Sequence, residues 1–151
     1  MALSQTLATS FKVEILDGIH NFGTGVVRAT TAADTFKIAL YTATAALNAT
    51  TTVYTTDNEV TGAGYTAGGN TLVISQAPTS TNTETVAWLN FENSSWPNST
   101  FSADGALIYN STQGNKAVAI LNFGSTKTTA NQTFTVTFPA STSSAAIIRI
   151  S

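Results

Sequence analysis

The acidic residues have the widest chemical repertoire in this sequence, and their densest group is Asp57-Asn58-Glu59. Carboxylate oxygens bind Ca²⁺, and paired carboxylates catalyse glycoside hydrolysis. In an extended segment Asp57 and Glu59 fall on one side, but two acids alone make a weak cation site and the EF-hand spacing is absent. We therefore expect a solvated loop here, with no bound metal.

A catalytic histidine would have to be His20, because it is the only histidine in the chain. The Gly-x-Ser-x-Gly pattern of a hydrolase nucleophile is missing. The segment Gly62-x-Gly64-x-x-x-Gly68-Gly69 matches neither nucleotide-binding fingerprint, so we expect a β-connection there. The absence of cysteine excludes thiolate chemistry. We expect a protein that is not an enzyme and has no cofactor.

Large apolar side chains in polar surroundings are candidates for contacts with other proteins. Tyr54 and Tyr65 lie in a long connection rich in Gly and Thr, and Trp96 lies in a polar segment before Pro97, so we expect all three at the surface. Residues 1–10 form a polar arm that can become ordered on docking. The predicted interface residues are Leu3, Leu7, Phe11, Tyr54, Tyr65 and Trp96.

The elements that position these residues follow from the hydrophobic periodicity. A helical stripe predicts one short helix within residues 10–19, after the arm. From residue 35 the period is two, with turn-rich clusters such as residues 94–99 between the segments. The predicted strands are 36–41, 52–55, 71–75, 85–91, 105–109, 116–123, 133–138 and 145–150. The strands at 105–109 and 116–123 are predicted to form a hairpin through the turn-prone residues between them. The fold class is therefore all-β, a jelly roll or β-sandwich with one short N-terminal helix, in a single domain at residues 11–151.

The composition restricts the partners of this domain. Charged residues make up 9% of the 151 residues, the net charge is −2, and the mean hydropathy is +0.11. Soluble domains average about 25% charged residues, so we expect much of this surface to be covered by other protein. The six basic residues are scattered, which argues against nucleic acid as a partner. No apolar run approaches the ~20 residues of a membrane span, and we expect synthesis in a cytosol-like compartment.

Most of the chain resembles small virion structural proteins of tailed bacteriophages, in particular the capsid decoration or cement proteins. The segments that support the resemblance are residues 10–22, 34–42, 58–69, 105–110, 115–119 and 145–150. It implies a homo-oligomer, a dimer or trimer, that binds the major capsid protein on the capsid surface after synthesis in the host bacterial cytoplasm. Relatives have a basic residue just before the Gly-Ala-Leu-Ile-Tyr block, where this chain has Asp104, so a subunit contact through that position would differ here.

Two other functions fit the sequence less well. A tail or head-fibre component that binds host surface glycans would share the fold and the Thr-rich surface. It would have few copies per particle and would bind sugar through aromatic side chains. A depolymerase would use paired acids, and loss of hydrolytic activity on mutating an acid such as Glu59 or Glu84 would identify it.

Overall fold

A computed structural model describes residues 3–8, 11, 15, 18–24, 33–79 and 86–150. The strands in this part of the chain form two antiparallel sheets, one in the order β1-β7-β6-β2-β3 and one in the order β4-β5-β8. Their bounds are β1 Thr6–Leu7, β2 Phe36–Tyr41, β3 Asn70–Thr71, β4 Ile74–Thr79, β5 Ala87–Phe91, β6 Ser94–Asn110, β7 Lys116–Val136 and β8 Ile148–Ile150. The prediction of a β-rich chain is confirmed. Among the described segments there is no helix long and apolar enough to cross a membrane.

β6 and β7 form one long hairpin with two halves. In the proximal half, residues 105–110 pair with residues 116–122, and β2 pairs with the other edge of β6. The predicted hairpin is confirmed here, with Leu107 opposite Ile120. In the distal half, residues 94–103 pair with residues 127–136. We call this distal half the distal ribbon.

Residues 94–99 were expected to form a turn, and that prediction is wrong because they belong to β6. Asn98 has a φ of 48° and lies where the strand register shifts between Trp96 and Ser99. A β-bulge places turn-prone residues inside a strand, so Pro97 and Asn98 mark a bulge and not a strand end. In β7, Asn131, with a φ of 54°, has the same role.

Other predicted elements also differ from the structure. The predicted strand 71–75 is divided between β3 and β4, which lie in different sheets. Residues 52–55 form no strand, and their only pairing is an isolated bridge between Val53 and Lys116. No helix is among the elements of the described chain, and of the predicted short helix only Phe11 and Ile15 are described before Gly18, both in helical conformation. Gly18 N donates a hydrogen bond to Ile15 O at 3.0 Å. Most of residues 10–19 lie outside the described residues. A two-turn helix depends on tertiary packing because it has few internal hydrogen bonds.

The hydrophobic core lies between elements of both sheets. Ile38 and Leu40 of β2 are fully buried, and so are Ala39 and Tyr41 on its opposite face, so both faces of this strand are covered. The ring of Phe36 on β2 lies 5.9 Å from the ring of Phe91 on β5, so the larger and the smaller sheet share one apolar cluster. The core therefore fixes how the two sheets contact each other.

The described part of the N-terminal arm, residues 3–8, packs on its own chain. Thr6 pairs with Ile120 of β7, so the arm adds a short strand to the edge of the five-stranded sheet. Leu3 is buried, and its carbonyl accepts a hydrogen bond from Asn122 Nδ2 at 2.6 Å. The arm thus covers the proximal half of β7.

Alanine substitutions at Gly69 and Gly114 test how closely the connection before β3 packs on β2. Both have a φ of +66°, but a Cβ at Gly69 would overlap the Ile38 carbonyl, whereas a Cβ at Gly114 meets nothing within 4 Å. We predict that Gly114→Ala lowers the free energy of unfolding by about 1 kcal/mol through backbone strain alone. Gly69→Ala should lower it by about 3 kcal/mol or more. Equal urea midpoints for the two variants would contradict this packing.

Candidate functional site

Glu59 lies in the connection between β2 and β3 and is a buried acid, with 8% of its surface exposed. Its Oε2 accepts a hydrogen bond from the Tyr54 hydroxyl at 2.6 Å. Its Oε1 accepts from the Tyr65 hydroxyl at 2.6 Å and from Gly68 N at 2.7 Å. Asp57, in contrast, is exposed. The expectation of a solvated loop is therefore correct for Asp57 and wrong for Glu59.

All four tyrosines of the chain surround this carboxylate. Burial is the main cause that raises their pKa values, and a hydrogen bond to Glu59 raises the pKa of Tyr54 and Tyr65 further. The charge of Glu59 is the second cause for Tyr41 and Tyr109. The pKa of Tyr109 rises to about 12. Each hydroxyl is therefore kept protonated and able to donate a hydrogen bond.

The tyrosine hydroxyls also fix the backbone around Glu59. Tyr65 Oη accepts a hydrogen bond from Leu40 N of β2 at 2.9 Å. Tyr109 of β6 donates to Gly68 O at 2.8 Å, and Tyr41 donates to Thr55 O at 2.5 Å. We call Glu59 with Tyr41, Tyr54, Tyr65 and Tyr109 the tyrosine cluster. Its geometry positions the β2–β3 connection on the five-stranded sheet.

A second buried polar cluster contains the only histidine. Asn110 Nδ2 donates to Asp34 Oδ2 at 2.9 Å and lies 3.1 Å from His20 Nδ1. Asn110 Oδ1 accepts from Thr112 N and Gln113 N, which fixes the orientation of the amide. Because an amide nitrogen only donates, His20 Nδ1 acts as the acceptor. These contacts hold the segment around His20 against the β6–β7 turn.

Neither cluster provides a set of metal ligands. No group of three or more His, Cys, Asp or Glu side chains in the described ranges lies close enough to hold a metal ion. Glu84, the other acid considered for hydrolysis, lies outside the described residues. The hydrogen bonds of both clusters connect backbone segments.

The outer face of the distal ribbon is exposed, uncharged and rich in hydroxyl groups. Ser95 Oγ lies 2.8 Å from Thr135 Oγ1, and Ser102 Oγ lies 2.8 Å from Thr128 Oγ1, in both cases across the two strands. Thr100 Oγ1 accepts a hydrogen bond from Asn131 N at 3.0 Å. We call this surface the hydroxyl face, and its residues are Ser95, Thr100, Ser102, Thr128, Asn131 and Thr135.

The inner face of the distal ribbon packs on the tyrosine cluster. The Tyr65 ring lies 6.1 Å from the Trp96 ring and 5.7 Å from the Phe101 ring. Phe134 of β7 contacts Trp96 and Phe101 at 6.1 and 5.1 Å between ring centroids. The same tyrosine therefore contacts both Glu59 and the underside of the hydroxyl face.

The structure separates the predicted interface residues into two groups. Leu3, Phe11 and Trp96 are buried within the chain, and Trp96 is only 2% exposed, so its expected surface position is wrong. Leu7, Tyr54 and Tyr65 are half-buried, but the hydroxyls of both tyrosines reach inward to Glu59. A role for these six residues in a subunit contact stays a prediction. The hydroxyl face was missed because its serines and threonines form no chemical motif in the sequence.

Comparisons with known proteins identify no relative. No protein-family model, no curated protein and no solved structure matches this chain.

Substitution of Glu59 tests the tyrosine cluster. Glu59→Ala leaves the Tyr54 and Tyr65 hydroxyls and Gly68 N without their acceptor, and each lost partner costs about 1–3 kcal/mol in a buried site. We predict a loss of about 3 kcal/mol or more in the free energy of unfolding, measured by urea denaturation. Glu59→Gln retains an acceptor oxygen and should lose less. The control Asp57→Ala, at an exposed acid, should change stability by less than about 0.5 kcal/mol; equal losses for both alanine variants would refute this role of Glu59.

Alkaline titration tests the same cluster without a mutation. The folded protein holds the tyrosine protons more tightly than the unfolded chain, because the pKa values are raised above 10 on folding. This contribution to stability is complete below pH 10 and is lost as the pH rises through the folded values, with Tyr109 at about 12. Tyrosinate absorbance at 295 nm should therefore stay low at pH 10.5 in the folded protein. A native titration midpoint near 10, as in a urea-unfolded control, would contradict the buried geometry.

Proposed function

We propose that this chain is a non-enzymatic decoration, or cement, protein of a tailed-bacteriophage capsid, which binds the outside of the major capsid protein shell and stabilises the head. The observation that supports this proposal is the hydroxyl face, a neutral polar surface on a well-packed ribbon. The sequence resemblance and the low content of charged residues agree with it. The protein acts as a homo-oligomer at the capsid surface, with no nucleic acid or membrane contact.

The hydroxyl face is suited to contact with protein because covering it costs little desolvation energy. Burial of a polar group is unfavourable when its hydrogen bonds to water are not replaced. On this face Ser95 bonds with Thr135 and Ser102 bonds with Thr128 in the free chain. These hydroxyls therefore keep a partner after water is excluded, whereas exposed lysines or glutamates would not.

A rigid surface of this kind fits a shell with many equivalent sites. A ribbon held by aromatic packing loses little conformational freedom on binding, which reduces the entropic cost of each contact. Modest binding at each site becomes large stabilisation when the sites are linked in one symmetric particle. We further infer that the two sheets pack as a β-sandwich of the jelly-roll type, since Phe36 and Phe91 join them in one core.

The direct test is the copy number of the chain relative to the major capsid protein in purified particles, measured by quantitative mass spectrometry. A decoration protein is present at a ratio near one or at a simple symmetric fraction of it. A handful of copies would instead support the tail or head-fibre alternative with glycan binding. Absence from the particles would refute the virion assignment.

A single charge on the hydroxyl face should weaken capsid binding. Ser102→Lys removes one paired hydroxyl and introduces an ammonium group that must lose water on binding, so we predict about a tenfold or larger loss of affinity for capsids that lack the protein. Ser75→Lys, an exposed serine on β4 of the other sheet, is the matched control. Co-sedimentation with capsids measures both variants. Equal binding of Ser102→Lys and wild type would exclude this face as the contact.

A further inference from the structure

A groove of about 530 Å³ runs beside the distal half of β7. Its wall includes every residue from Gln132 to Pro139, together with Gln5 and Ile147. Successive residues of a strand point to opposite faces of the sheet. A groove that contacts all of them must therefore follow the edge of the strand and not one of its faces.

This edge of β7 is unpaired in the described part of the chain. On one side β7 pairs with β6 along the whole distal ribbon. On the other side β1 pairs only with Ile120 and Ala119, and no described strand pairs with residues 123–136. The opposite edge of the ribbon belongs to β6, where Thr100 forms an isolated β-bridge with Ala63. The free edge is thus continuous with the edge on which the arm already docks.

One part of this edge lacks the features that prevent strand addition. Natural edge strands are protected by lysines, prolines and bulges. Gly124 and Asn131 have positive φ angles, and Lys127 is exposed, so residues 123–131 are protected in this way. Residues 132–136 have no charge, no proline and no positive φ. Such a segment is an aggregation hazard unless it is covered.

We propose that residues 132–136 form a self-association edge, on which a second copy of this chain adds the same segment as an antiparallel strand. The pairing is isologous, with a two-fold axis at Phe134, and so closes as a dimer. The sequence Thr133-Phe134-Thr135 is symmetric about this axis. Thr133 then lies opposite the partner subunit's Thr135, the kind of cross-strand threonine pair that stabilises a sheet.

The charge distribution is compatible with this pairing. Lys127 is the only charged residue among those that line the groove within the described residues. It lies seven residues before Phe134, so the two-fold register places it opposite the partner's Ser141 and not opposite a second lysine. The five paired residues span about 17 Å. The inference rests on the homo-oligomer part of the proposed function and does not require the capsid.

Sedimentation velocity of the full chain over a range of concentrations tests the edge. We expect a species of twice the 15.7 kDa chain mass. Thr133→Lys places a charge in the middle of the edge and should raise the dissociation constant about tenfold or more, while the exposed-serine control Ser75→Lys should leave it unchanged. Circular dichroism checks that both variants fold. A monomeric wild type, or an oligomer that Thr133→Lys leaves intact, would overturn the proposal.

Disulfide trapping tests the register, because the natural chain has no cysteine. We expect that a mixture of Thr133→Cys and Thr135→Cys copies forms a reducible heterodimer, since opposite residues of a strand pair lie within disulfide range. Either variant alone should form far less of a disulfide-linked dimer. Equal crosslinking in all three samples, or none, would exclude this register. A dimer that is absent from particles would refute the capsid role alone, whereas a monomer at high copy number on capsids would refute only the edge.

Discussion

Burial of the Glu59 carboxylate fixes the β2–β3 connection and, through Tyr65, supports the distal ribbon. A carboxylate removed from water is tolerated only where other donors replace the lost hydrogen bonds. Tyr54, Tyr65 and Gly68 supply those donors at 2.6 to 2.7 Å. All of them lie in the connection at residues 42–69, which has no strand of its own. Glu59 thus gives a long connection one defined path, where connections of this length are otherwise uncommon.

The effect of Glu59 extends to the surface through Tyr65. This side chain binds Glu59 with its hydroxyl and packs its ring on Trp96 and Phe101 of the distal ribbon. The distal half of the ribbon has no second strand neighbour among the described residues, so this aromatic contact and the bridge from Ala63 to Thr100 support it. The position of the hydroxyl face therefore depends in part on a buried acid. Charge is thus used inside this molecule and is absent from the residues of the hydroxyl face.

The sequence predicted the β-rich class and the proximal hairpin because alternation and turn residues are local signals, as in residues 105–109 and 116–123. Of the distal ribbon it predicted only the strand at residues 133–138, of which residues 133–136 lie in β7. It missed the rest because Pro97, Asn98 and Asn131 are turn-prone residues whether they end a strand or form a bulge in one. It also missed the role of Glu59. Tyr54, Tyr65 and Gly68 stand five, six and nine residues from Glu59, and no helical or strand period connects those spacings. The tertiary path of the connection alone brings them together.

Hydrogen–deuterium exchange on the wild type and Glu59→Gln tests most directly whether Glu59 positions the ribbon. We expect faster exchange in residues 61–70 and 94–103 of the variant, because the support from Tyr65 is weakened. The amides of residues 105–110 and 116–122 should keep their protection, since residues 105–110 pair with β2 and residues 116–122 pair with β6. Unchanged exchange in residues 94–103, or an equal increase throughout the chain, would show that Glu59 does not position the ribbon.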